Sequence, residues 1–169
     1  MSLGYEEKLN GKVVQRPPPG KRHELIAARL HSWMKSSVTD MKTTRLGGWR
    51  EAITIDSENI LRPDVALVTT ANGKLWLAVE VVNTEDHRVD TVWKKEVYEA
   101  MRLPRLWMVD PRYDNVEVYH GTVHGLALKD ILAGQAVLSE TLLPEFQLTI
   151  AKLFAEQLDE SDAGLGLRC

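Results

Sequence analysis

Cysteine is almost missing from this chain: of 169 residues only Cys169 carries a thiol, so no internal disulfide can form and an oxidising compartment is not implied. Long apolar runs are missing too. Charge interrupts each hydrophobic stretch well short of the roughly 20 residues a membrane helix needs, and the first residues lack a signal-peptide pattern. No internal repeat or low-complexity segment occurs, and a net charge of −3 excludes a uniformly basic, polyanion-coating chain. These absences lead to the expectation of a cytoplasmic protein with one domain over residues 1–169, residues 1–20 forming an arm or hairpin and 159–169 a frayed tail. The 44% hydrophobic content suffices for a core.

Against that background one residue is out of place. Glu80 lies inside Lys74-Leu-Trp-Leu-Ala-Val-Glu-Val-Val-Asn83, a run of large, strand-forming residues. An ionised carboxylate buried there without a partner costs several kcal/mol, so something must compensate it. Upstream, Pro63-Asp64 opens a second apolar strand ending at Thr70, joined to the first through Ala71-Asn72-Gly73. A three-residue hairpin loop, with Gly73 left-handed, sets Thr70 opposite Lys74 and therefore Asp64 opposite Glu80. A two-residue Asn72-Gly73 turn would instead point the two acids to opposite faces. The three-residue loop is the reading that gives both acids a common solution.

Directly opposed residues have Cβ atoms about 5 Å apart. Two negative charges that close repel by about 3 kcal/mol at an effective dielectric of 20, so the pair requires a proton or a cation. Carboxylate oxygens suit Mg²⁺ or Mn²⁺. The alternative is structural: Asp64 marks a strand entry and Glu80 pairs with a nearby Arg or Lys. After a polar turn, a helix is expected from Asp90 as N-cap, with Trp93, Val97, Ala100 and Met101 as its apolar stripe. Asp90, Lys94 and Tyr98 follow at four-residue spacing along its edge, so Lys94 either reaches the end of the Glu80 strand or forms an ordinary surface pair with Asp90.

Elsewhere the pattern predicts a helix over about 21–36, a strand over 50–56, a central strand at Leu106-Trp-Met-Val109, a strand over 116–119, further strands near Ala127 and Val137, and a C-terminal helix over about 150–158. Mixed strands with helices at their margins define an α/β layered fold. The charge is unevenly spread: from Lys8 to Arg50 ten lysines and arginines face only Glu24 and Asp40, while Glu140 to Asp162 is acidic. The basic segment is either a phosphate-tracking surface or a set of solvated helix faces. Trp49, after Gly47-Gly48, is either a base-stacking platform or a core or interface residue.

Taken together, Pro63-Asp64, Glu80-Val81-Val82, Asp90, Lys94 and Tyr98, then Leu103-Pro-Arg-Leu-Trp-Met-Val-Asp-Pro111 and Val116-Glu-Val-Tyr119, resemble the Uma-two family. This is a group of small, mostly bacterial endonuclease-like proteins of the restriction-endonuclease-like PD-(D/E)xK superfamily. The similarity runs from about Tyr5 to Phe154. In the superfamily the lysine commonly sits two residues after the second acid, where this chain has Val82; in the Uma-two family the following helix carries it, and Lys94 stands there. The chain departs from the family at Asn83-Thr84, where Ser-Pro is usual, and at Lys12, where an acid is usual.

The resemblance implies a restriction-endonuclease-like mixed β-sheet core flanked by helices, and metal-assisted hydrolysis of DNA. Asp64, Glu80 and the Val81 carbonyl would bind Mg²⁺ or Mn²⁺, with Lys94 orienting water or stabilising the transition state. Glu7, His23 and Glu24 are secondary metal or water contacts, and His23 and Glu24 also read as an ordinary helix start. Lys21, Arg22, Arg29 and Lys95 are candidate nucleic-acid contacts, and a homodimer would serve two-strand cutting. Two other function classes remain: a nuclease-fold module that binds nucleic acid or protein without cutting, and an enzyme acting on a smaller phosphodiester.

Overall fold

The computed structural model describes residues 3–156, so the expected frayed tail and the far end of the C-terminal helix lie outside the described residues. The chain opens with a hairpin of β1 (Tyr5–Leu9) and β2 (Lys12–Arg16). Asn10 and Gly11 connect them with φ of 50° and 80°, the two left-handed positions that a tight two-residue hairpin turn requires. Pro17-Pro-Pro-Gly20 ends the pairing, because proline has no amide to donate, and α1 (Lys21–Val38) follows.

Then come β3 (Thr44–Leu46), β4 (Ile53–Asp56), β5 (Asn59–Leu61), β6 (Val65–Thr69) and β7 (Leu75–Val81). A π-helical segment (Val89–Lys94) runs directly into α2 (Lys95–Ala100). The remainder is β8 (Arg105–Asp110), β9 (Asn115–Thr122), β10 (Gly125–Ala133), β11 (Val137–Glu140), β12 (Leu143–Thr149) and α3 (Ile150–Phe154).

A six-stranded sheet in the order β10-β9-β8-β7-β6-β3 forms the centre, and its β7–β8 pair is parallel while the others are antiparallel. The expected mixed sheet flanked by helices is therefore present. β8 alternates its burial between the two faces: Trp107 and Val109 join the core beneath α1, α3 and the β11–β12 hairpin, whereas Leu106 and Met108 join the core on the α2 side. Burial on both faces explains the unbroken apolar run in its sequence. A second sheet, β2-β1-β5-β4, contributes Leu9 and Leu61 to the α2-side core. Among the described residues no helix is long and apolar enough to cross a membrane.

The β6–β7 register bears on the site. Val65 pairs with Val79, Ala66 with Ala78 and Leu67 with Leu77, so continuing one residue outward sets Asp64 against Glu80, as the three-residue loop requires. The loop itself is different. Thr69, not Thr70, pairs with Lys74, leaving four residues in the turn, and an irregularity between Leu67 and Val68 opposite Leu75 and Leu77 restores the register toward the site. Gly73 is left-handed at φ 67°, as the turn demands.

Three local expectations change. The strand expected from Arg50 begins only at Ile53, since Arg50 adopts φ 45° and turns its side chain inward. The helix expected to be capped by Asp90 starts as a π turn whose cap position is Arg88, and Asp90 is buried inside it. Trp93 and Ala100, assigned to its apolar stripe, are exposed, and the buried edge is instead Val89, Asp90, Lys94, Val97 and Tyr98.

Arg29 is also not a nucleic-acid contact. It is 1% exposed and donates to the carbonyls of Lys152 and Leu153, where α3 ends. Its place three residues after Ile26 and just before Leu30, on the buried face of α1, explains why it points inward. Arg29→Met removes charged donors from these buried carbonyls and should lower stability by about 2–3 kcal/mol, read as a lower urea midpoint.

Candidate active site

The buried carboxylates meet where the two sheets and the π-helical segment adjoin. Lys94 Nζ lies 2.8 Å from Glu7 Oε2 of β1 and 2.7 Å from Glu80 Oε1 of β7, and neither Lys94 nor Glu7 exposes its side chain. The surface pairing of Asp90 with Lys94 is therefore excluded. Tyr98, one turn further along α2, donates its hydroxyl to Glu80 Oε1. Arg16 at the end of β2 contacts three acids: Glu7 Oε1 at 2.6 Å, Asp86 Oδ2 at 2.6 Å and Asp90 Oδ2 at 2.9 Å. Asp90 also accepts from the Asn83 amide at 2.9 Å, which ties the loop after β7 to the π turn.

Asp64, also buried, adjoins the first turn of α1, with His23 Nε2 3.7 Å from its Oδ2. Its Oδ2 accepts from the Val81 amide at 2.8 Å, and its Oδ1 accepts from Arg50 Nε at 3.0 Å. The first turn of α1 supplies His23, whose Nε2 lies 2.7 Å from the Val81 carbonyl; because a carbonyl only accepts, the proton is on Nε2. Glu24 beside it pairs with the Arg50 guanidinium. Glu7 thus contacts Lys94, His23 lies 3.7 Å from Asp64, and Glu24 is linked to Asp64 through Arg50. Arg16, Arg50 and Asp86 were not singled out from the sequence as parts of the site. Their partners lie 9 to 74 residues away, and no local spacing links them.

Charge controls this interior. Glu7, Glu24, Asp64, Glu80, Asp86 and Asp90 face only Lys94, Arg16 and Arg50 as permanent cations. Burial pushes Glu80 up from 4.5 to about 8, opposed by Lys94 and reinforced by Asp90, Glu7 and Asp64. Asp90 is likewise raised by burial against the pull of Arg16 and Lys94. For Glu7 burial acts upward too, but Lys94, Arg16 and the Arg62 amide outweigh it and hold the carboxyl low. Burial works against the Lys94 charge, yet Glu7, Glu80 and Asp90 keep it well above an ordinary lysine, so it is an ammonium rather than a base.

Among the described residues no three His, Cys, Asp or Glu side chains converge as a ready metal cage. Two opposed carboxylates in a cluster with surplus negative charge nonetheless have the donor chemistry of a hard divalent cation. In their present arrangement Arg50 on Asp64 and Lys94 on Glu80 supply the compensating positive charge. The Val81 carbonyl keeps one lone pair beyond its bond from His23.

The proposed nucleic-acid contacts lie around this cluster rather than in it. Lys21 is exposed at the start of α1, and Arg22 pairs with Asp114 at 2.6 Å. Lys95 stands 4.3 Å over the Tyr119 ring and lines a cleft of about 200 Å³ with Val82, Asp110 and Arg112. Trp49 is 44% exposed, with its ring edge-on to His31.

Comparison with known proteins matches residues 3–151 to a family model described as "Uma2: Putative restriction endonuclease". A crystal structure of a "putative nuclease" from Anabaena variabilis ATCC 29413 is similar over 88% of this chain and 89% of that one, with a TM-score of 0.73 and 18% identity. At that identity the likeness carries the fold alone. Curated proteins yield no match.

Glu80 binds its proton more tightly folded than unfolded. Its contribution to stability is therefore full below about pH 4.5 and is lost as pH rises toward 8. In Glu80→Gln the decline in urea midpoint between pH 5 and pH 8 should be smaller than in the wild type.

Proposed function

The chain belongs to the Uma2 family, and from that membership and the buried carboxylate cluster we propose that it is a metal-dependent endonuclease hydrolysing DNA phosphodiester bonds, residues 1–169 acting as one nuclease-like domain in the cytoplasm. The observation that carries this reading is Lys94, a buried ammonium between Glu7 and Glu80, with Asp64 buried against His23 in the first turn of α1.

Asp64, Glu80 and the Val81 carbonyl would hold Mg²⁺ or Mn²⁺, which when bound supplies Lewis acidity and a more acidic water. The residues prepare that chemistry. The Val81 amide on Asp64 Oδ2 and His23 on the Val81 carbonyl fix the backbone of Val81, the residue after Glu80, at both its N–H and its C=O. Tyr98 and Lys94 together orient the Glu80 carboxyl. Lys94, kept charged by its acidic neighbours, acts by stabilising negative charge that develops on a phosphoryl group and not by taking a proton. Lys21, Arg22 and Lys95 would follow the backbone phosphates. A homodimer would bring two such sites to the two strands of a duplex.

A second reading has its own support. Glu80 is 1% exposed and Lys94 0%, and their charges are already balanced within the protein, as in a nuclease fold that binds nucleic acid or a partner without cutting. Plasmid incubated with Mg²⁺ or Mn²⁺ should be nicked by the wild type, and Asp64→Ala should be slower by on the order of 10²-fold or more. Equal behaviour of the two proteins would favour the non-cutting module.

A further inference from the structure

Arg50 occupies the position that a cation at Asp64 would need. Its Nε donates to Asp64 Oδ1 at 3.0 Å, and the other end of the guanidinium pairs with Glu24. The backbone is committed to this arrangement: φ is 45°, in the left-handed region that a bulky residue adopts only when its surroundings impose it, and the Arg50 carbonyl accepts from Arg62 at 3.1 Å. The guanidinium also lies 5.6 Å from the Tyr5 ring and 5.0 Å from the Trp49 ring.

The two partners of Arg50 differ in access. Asp64 is 3% exposed on its side chain and faces inward, whereas Glu24 is 27% exposed on the rim. A divalent ion held by Asp64 would repel the guanidinium, and of the two acids that hold Arg50 the more exposed is Glu24, with the Trp49 ring beside it.

We infer that Arg50 is a substrate-binding residue held in reserve. Without the ion it neutralises Asp64; with the ion on Asp64 it moves outward and presents its planar pair of donors to a phosphodiester oxygen at the mouth of the site. Arginine suits the task because its fork engages two phosphate oxygens at once and stacks on aromatic faces. The inference rests on the metal-dependent reading above and adds a phosphate contact that a lysine at this position could not reproduce.

The test uses Mn²⁺ calorimetry on the wild type, Arg50→Met and Asp64→Ala, and binding of a short DNA duplex with Ca²⁺ in place of Mg²⁺. Arg50→Met should bind Mn²⁺ at least about fivefold more tightly than the wild type, and should bind the duplex at least about fivefold more weakly. Asp64→Ala should bind no Mn²⁺. Equal Mn²⁺ affinity in the wild type and Arg50→Met, or equal DNA affinity, overturns the exchange while leaving the metal site standing. Absence of Mn²⁺ binding in every variant removes the metal-dependent reading itself.

Should Arg50→Met not fold, emission of the wild type and Trp49→Phe during a Ca²⁺ titration serves instead. A Ca²⁺-dependent change that is lost in Trp49→Phe supports movement of the guanidinium off the indole, and its absence from the wild type overturns the proposal.

Discussion

One ammonium ties the interior together. Lys94 joins β1 through Glu7 and β7 through Glu80, so two sheets and a helix that are distant in sequence share a single buried ion-paired centre. A cluster of this kind is an inefficient way to stabilise a fold. Replacing a buried ion pair by well-packed apolar residues is often neutral or favourable, whereas removing one partner costs several kcal/mol. The chain therefore keeps, at a fully buried point, charges that a leucine core would make unnecessary.

The cluster also explains how its members divide. Glu7, which meets both Lys94 and Arg16 and the Arg62 amide, is held low, while Glu80 and Asp90, where burial outweighs the cations, hold their protons longer. Environment separates groups that are chemically alike, which is the usual means by which one pocket accommodates both an ionised ligand and a neutral hydrogen-bonding acid.

Much of this was legible where the information is local. An acid in an apolar strand is conspicuous, and the register of β6 and β7 opposes Asp64 to Glu80 as a three-residue loop requires. The turn itself was misread by one residue, and a ladder irregularity absorbs the difference before it reaches Asp64. Long-range pairings were not legible. Asp90 before a helix reads as a cap, and its burial against Arg16 arises only once β2 has folded onto it, 74 residues away in sequence. Arg50 reads as the first residue of an alternating strand, and nothing local signals the left-handed backbone that turns it inward instead. For Arg29 the place on the buried face of α1, not the charge, decides the direction of the side chain.

The π-helical stretch over Val89–Lys94 carries a further implication. An α-helix turns about 100° per residue, so a segment wound more widely delivers its last side chain to a bearing that depends on how many residues it contains. Exchanging one amino acid for another along it leaves that bearing unchanged, while losing a single codon would rotate the ammonium out of the interior.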